Sequence, residues 1–164
     1  IAPSSTPSAQ PSQALEETTS PEVSQRPAAL VFTWPVNGAI IASFSVETLL
    51  YDETMLDWRT HEGLDLVAQT GAVVMAAGDG TVLSVYEDDL MGTTVTIDHG
   101  DGVASVYSNL AAQPTVEAGQ TVRAGDTIGS VGETALAESA LPSHLHFSMK
   151  LDGAPVDPLE YLPE

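Results

Sequence analysis

Three of the four histidines in the chain fall in two tight groups. In His61-Glu62-Gly63-Leu64-Asp65 a neutral nitrogen donor and an anionic oxygen donor stand four residues apart, and Gly63 allows the abrupt bend that lets both reach one ion. In Ser143-His144-Leu145-His146-Phe147 polar and apolar residues alternate as in a strand, which sends both imidazoles to one face and Leu145 and Phe147 to the other. Two histidines ~7 Å apart on one strand face suit one metal ligand beside one base. Taken singly, the first group also fits an ordinary hydrogen-bonded or exposed pair. Taken together, His61, Asp65 and one of the two later histidines make a three-donor set that leaves a fourth tetrahedral position for water. Zinc is the natural occupant of such a set. It lowers the pKa of bound water toward ~7 and polarises a carbonyl, so that a neighbouring histidine can take the proton of the attacking water, which is the chemistry of a hydrolase.

Strands must position these residues. From Leu30 onward short apolar runs alternate with turn residues, and strands are expected at 40–44, 73–76, 80–86, 93–98, 103–108, 127–131 and 146–151. Turn sequences such as Gly78-Asp79-Gly80, His99-Gly100-Asp101-Gly102 and Leu151-Asp152-Gly153 separate them at the spacing of an all-β sandwich or barrel. Only Glu133–Leu141 reads as a helical turn, ended by Pro142. His99 lies in a hairpin turn and is expected to be structural. Trp34 reads as core, Trp58 either as core or as groove lining, and Glu87-Asp88-Asp89 as a solvated loop.

Composition bounds the partners. The chain has 164 residues, four Lys plus Arg against 23 Asp plus Glu, a formal net charge of −19 and no cysteine. Nucleic acid is excluded, since phosphate neutralisation needs clustered cations and the chain offers only Arg26, Arg59, Arg123 and Lys150. Without cysteine, any metal must rest on His, Asp or Glu. Residues 1–29 are rich in Pro, Ser and Thr and read as a disordered stalk or linker before a single domain at 30–164, an arrangement expected of an exported or membrane-anchored, extracytoplasmic protein. Any membrane association is expected only through an anchor outside this chain. The glycine rhythm at Gly119–Gly129 hints at a biotinyl- or lipoyl-type carrier, but that needs a lysine at a hairpin tip, and the single Lys150 is far from this segment.

In combination and order, the motifs resemble the LytM/lysostaphin-like zinc endopeptidases over roughly residues 34–162. The motifs are His61-x-x-x-Asp65, Ala76-Ala77-Gly78-Asp79-Gly80-Thr81-Val82, Val95-Thr96-Ile97-Asp98-His99-Gly100, Gly119-x-x-Val122-x-x-Gly125-Asp126-x-Ile128-Gly129, His144-Leu145-His146-Phe147 and Val156-Asp157-Pro158-Leu159. The resemblance implies an antiparallel LytM-like β-sandwich or open barrel. It also implies zinc held by His61, Asp65 and His146, His144 as general base, and a peptide of bacterial peptidoglycan as substrate. Tyr107-Ser108-Asn109-Leu110 departs from the family's Tyr-x-His-Leu: Asn109 stands where a second catalytic histidine helps stabilise the oxyanion, and the loss of a comparable donor costs on the order of 10²–10³ in rate. Pro142-Ser143 and Ser148 are further departures. Asp57-Trp58-Arg59-Thr60-His61, together with Asn109, looks more like the stage II sporulation protein Q branch, whose LytM-like domains pair with a protein partner. Two expectations follow: a zinc endopeptidase of the cell envelope, slowed at Asn109, or a catalytically weak zinc-binding interaction module.

Overall fold

The computed structural model describes residues 30–164; the Pro-rich stretch expected as a stalk lies outside the described residues. In chain order the strands are β1 (Ile40–Ala42), β2 (Ser45–Asp52), β3 (Asp57–His61), β4 (Leu64–Val67), β5 (Val73–Met75) and β6 (Gly80–Asp88). They continue with β7 (Gly92–Gly100), β8 (Val103–Leu110), β9 (Thr121–Val122), β10 (Thr127–Ser130), β11 (His144–Leu151) and β12 (Ala154–Val156). All pairings are antiparallel. The main sheet runs β1-β4-β11-β8-β7-β6-β9 with β12 beside β11, and two small ribbons, β2-β3 and β5-β10, complete an all-β fold.

Alternation along the strands builds the core. Leu145, Phe147 and Met149 of β11, Leu64 and Leu66 of β4, Val95 and Ile97 of β7 and Tyr107 of β8 lose all contact with solvent. Each such side chain contributes about 1.5–3 kcal/mol of burial. Tyr107 can be this deep because its hydroxyl accepts the Ala77 N–H at 2.7 Å, while its ring lies 5.2 Å from that of Phe147. Burial pushes its phenol up to about 12. The same alternation turns His144, His146 and Ser148 to the opposite face of β11, where the β2-β3 ribbon and the 132–143 loop cover them.

The seven expected strands are present with shifted ends. The β2-β3 ribbon escapes the sequence pattern because its apolar residues face outward, so no buried stripe marks it: Leu49, Tyr51, Leu56 and Trp58 are all exposed. The expected helical turn is a single 3₁₀ turn at Leu136–Glu138. Trp34 packs against the core, its indole N–H donating to the Pro163 carbonyl at 3.0 Å. Trp58 is neither core nor groove lining: it is 65% exposed and meets Tyr51 edge-on. Asp88 accepts the Leu90 and Met91 N–H groups and so shapes the acidic loop.

His99 is a strut. Its Nδ1 lies 2.7 Å from the Asp79 carbonyl and its Nε2 2.7 Å from Ser105 Oγ, with Phe32 edge-on at 5.0 Å. Burial holds it below its ordinary value of 6.5, against the pull of the Asp79 carbonyl. The unfolded chain therefore takes up the proton more readily, so this stabilisation is complete above the unfolded value and is lost as pH falls through the folded one. Urea titrations between about pH 7 and pH 5 should show the native chain losing more stability than His99→Gln, which has no titrating group there.

Candidate metal centre

Three strands and one turn converge on a single point. Asp65 lies mid-sheet on β4, paired with Ala42 on one side and with His146 of β11 on the other. The β4-β11 register thus sets carboxylate beside imidazole, and Asp65 Oδ1 lies 2.7 Å from His146 Nδ1. His61 ends β3 in the small ribbon and returns to the main sheet through Gly63. A Cβ on Gly63 would stand 2.6 Å from the Phe147 carbonyl oxygen and 2.9 Å from His146 Nε2, so only glycine lets β3 pass this close to β11. The fourth group is Glu138, carried by the 3₁₀ turn. Donor atoms of His61, Asp65, Glu138 and His146 all lie within 4.8 Å of one another.

The hydrogen-bond pattern fits a metal. His61 Nδ1 donates to the Ser43 carbonyl at 2.9 Å, which leaves the Nε2 lone pair facing inward. That nitrogen is buried with no hydrogen-bond partner, 3.2 Å from Asp65 Oδ2 and 3.8 Å from Glu138 Oε1. A lone pair aimed at a carboxylate is repulsive unless a proton or a cation stands between them. Nitrogen and oxygen ligands at ~2.0–2.2 Å from a tetrahedral ion lie ~3.3–3.5 Å apart, between the two His61 distances, whereas His146 Nδ1 stands at hydrogen-bond distance from Asp65. His, His and carboxylate donors without sulfur suit zinc.

Without a cation the site balances itself with protons. Burial pulls His61 down, but the Asp65 and Glu138 carboxylates beside it outweigh that and push it up to about 10. His146 is likewise lowered by burial and raised by Asp65 and Glu138, ending at about 9. Burial favours the neutral acids, yet the surrounding histidines hold both the Asp65 and Glu138 carboxyls below the usual carboxylate range.

His144 sits behind Glu138 rather than in the groove. Its Nδ1 is 2.7 Å from the Pro142 carbonyl and its Nε2 2.8 Å from Glu138 Oε2. Both neighbours are acceptors, so the geometry favours donation from both ring nitrogens, which is the charged form of the ring. Burial opposes that charge, but Glu138 and the Pro142 carbonyl raise the pKa above its ordinary value. The amide of Asn109, expected to serve an oxyanion, is directed elsewhere. Its Nδ2 donates to the His144 carbonyl at 2.8 Å and its Oδ1 accepts the Ala135 N–H at 3.0 Å. With φ at +60°, the position also favours asparagine over histidine.

A groove of about 820 Å³ opens above the centre, walled by Tyr51 and Arg59 on the ribbon and by Tyr86 on β6, with Asp65, Glu138 and His146 at its floor. A smaller cavity of about 330 Å³ lies behind it, lined by Asn109, His144 and Glu138. The sequence reading overlooked Glu138 because it lies in neither histidine group and only the 3₁₀ turn carries it inward. The one available signal was a lone acidic residue in the apolar Ala135–Leu141 stretch.

An all-β domain with a buried His/Asp/His/Glu cluster beneath an open groove defines a metallopeptidase-type scaffold. The profile of Peptidase family M23 matches residues 59–158, more than half of the chain, and the chain belongs to that family. DD-carboxypeptidase/endopeptidase Mpg of Neisseria meningitidis is 37% identical over 102 residues, 62% of this chain but only 23% of that protein, so the chain spans about a quarter of the length of this relative. Among solved structures, the SpoIIQ-SpoIIIAH pore forming complex contains a chain superposable with a TM-score of 0.70 at 25% identity, covering 81% of this chain and 91% of that one. A zinc containing peptidase from Vibrio cholerae superposes with a TM-score of 0.69 at 28% identity, covering 81% of this chain and 41% of that one.

Substituting Gly63 tests the packing that brings His61 to β11. Gly63→Ala is expected to weaken metal binding by at least about tenfold and to lower stability by about 1–3 kcal/mol, read by chelator competition and by urea denaturation.

Proposed function

We propose that the chain is a zinc-dependent endopeptidase-type domain of the bacterial cell envelope, acting outside the cytoplasm on a peptide of peptidoglycan with slow turnover. The orphaned, inward-facing His61 Nε2 carries this reading, because a cation shared with Asp65 and His146 would satisfy it. Zinc bound there supplies a Lewis acid that polarises the scissile carbonyl and acidifies water. The groove holds the peptide extended, and its floor brings the carbonyl to the metal centre. The Glu138 carboxylate, held by His144 Nε2, takes the proton of the attacking water, and this pair then gives a proton to the departing amine, so that one water is added across the bond broken. Asn109 positions His144 through its carbonyl, and an amide in place of a titrating ring at position 109 accounts for the slow rate.

The test is incubation of zinc-loaded protein with peptidoglycan of defined stems and cross-bridges and with Gly-rich peptides, analysed by mass spectrometry. Protein purified without chelator is expected to carry about one zinc per chain, lost in His61→Ala. Slow cleavage, abolished in His146→Ala, is expected; zinc-loaded protein that leaves every cross-bridge type intact would refute hydrolysis.

A second reading, a protein-interaction module, draws on the outward apolar ribbon, where Leu49, Tyr51, Leu56 and Trp58 are all exposed beside the groove. On that reading a SpoIIIAH-type partner binds equally well to the native chain and to His144→Ala, whereas Trp58→Ala loses about 2 kcal/mol of affinity by calorimetry.

A further inference from the structure

The 132–143 loop delivers a carboxylate that the three-ligand scheme does not need. Glu138 is 9% exposed, and its Oε1 lies 3.0 Å from His146 Nδ1 and 3.8 Å from His61 Nε2, while its Oε2 lies 2.8 Å from His144 Nε2. No lysine or arginine among the described residues pairs with it, so its charge must be met inside the centre. The loop is fixed rather than draped. Ala135 N–H donates to Asn109 Oδ1, Ala137 N–H to the Leu90 carbonyl at 3.0 Å, and Ala140 N–H to Thr54 Oγ1 at 3.1 Å, which ties the turn to β8, to the β6-β7 connection and to the ribbon. Asn109 grips both ends of this device, since the same amide also holds the His144 carbonyl.

We infer that Glu138 is a fourth protein ligand, closing the metal centre formed by His61, Asp65 and His146 in the resting protein, and that a peptide entering the groove must displace it. This rests on the reading of those three residues as metal ligands. Charge permits the arrangement: two carboxylates face a divalent cation in a buried site, and His144, 2.8 Å from Glu138 Oε2, holds the second of them in place. The closed centre explains in one stroke why the loop is anchored and why Asn109 is spent on backbone groups. It also makes the site latent, because a four-ligand zinc site has no open position for water.

Cobalt(II) in place of zinc gives a visible spectrum that reports the ligands without any turnover, and azide serves as the small anion that enters an open position. The expected result is a native cobalt protein whose spectrum azide does not alter, and Glu138→Gln and Glu138→Ala proteins whose spectra differ from the native one and change on azide addition. Chelator competition should show metal binding weakened by at least about tenfold in both variants. Circular dichroism establishes that the variants fold, and the azide response of the native protein stands whether or not they do. A native spectrum that azide perturbs, or variants with native spectra and native affinity, would overturn Glu138 as a ligand while leaving the three-ligand site intact. Failure of the native chain to bind cobalt or zinc at all would overturn both readings.

Discussion

The contact between Asp65 and His146 is the constraint on which the rest of the site depends. A carboxylate that is 1% exposed in the middle of a sheet is tolerated only if something cationic meets it, and the β4-β11 register places His146 Nδ1 2.7 Å away. Everything else completes that pair. Gly63 allows β3 to bring His61 to it, Ser43 turns the His61 lone pair inward, and the 3₁₀ turn adds Glu138. The core on the other face of β11 holds the register, because a one-residue slip would exchange Leu145 and Phe147 with the two histidines.

The site contains more negative charge than a three-ligand hydrolytic centre uses, and more anchoring on its covering loop than an open groove needs. Glu138 and Asn109 are linked through the Ala135 N–H and through His144, so the two residues belong to one hydrogen-bonded assembly. Asparagine suits the left-handed backbone at position 109, and its amide gives a donor to the His144 carbonyl of β11 and an acceptor to the Ala135 N–H of the loop. His61, Asp65 and His146 thus stay clustered while Asn109 and His144 are tied to the loop that carries Glu138.

His99 and Tyr107 show the same economy away from the site. One histidine, one serine and one tyrosine join the end of β7 to the turns before β6 through buried polar contacts, and Phe32 closes the cluster. These contacts fix the far end of the strands that carry Asn109 and the groove wall.

The sequence by itself determined the strand-rich architecture, the alternation that puts His144 and His146 on one face and Leu145 and Phe147 on the other, and the grouping of His61, Asp65 and a later histidine. Those features are periodicities of two and short spacings, which the backbone converts directly into geometry. The β2-β3 ribbon was not legible, because its apolar residues face solvent and leave no buried stripe. Neither was Glu138, which sits 73 residues from Asp65 in the chain and reaches the centre only because Asn109, Leu90 and Thr54 hold its loop there. Direction of side chains at non-repetitive positions is a tertiary property. Only the folded chain decided that Asn109 faces backbone rather than groove, that His144 meets acceptors on both nitrogens, and that a second carboxylate stands beside His61, Asp65 and His146.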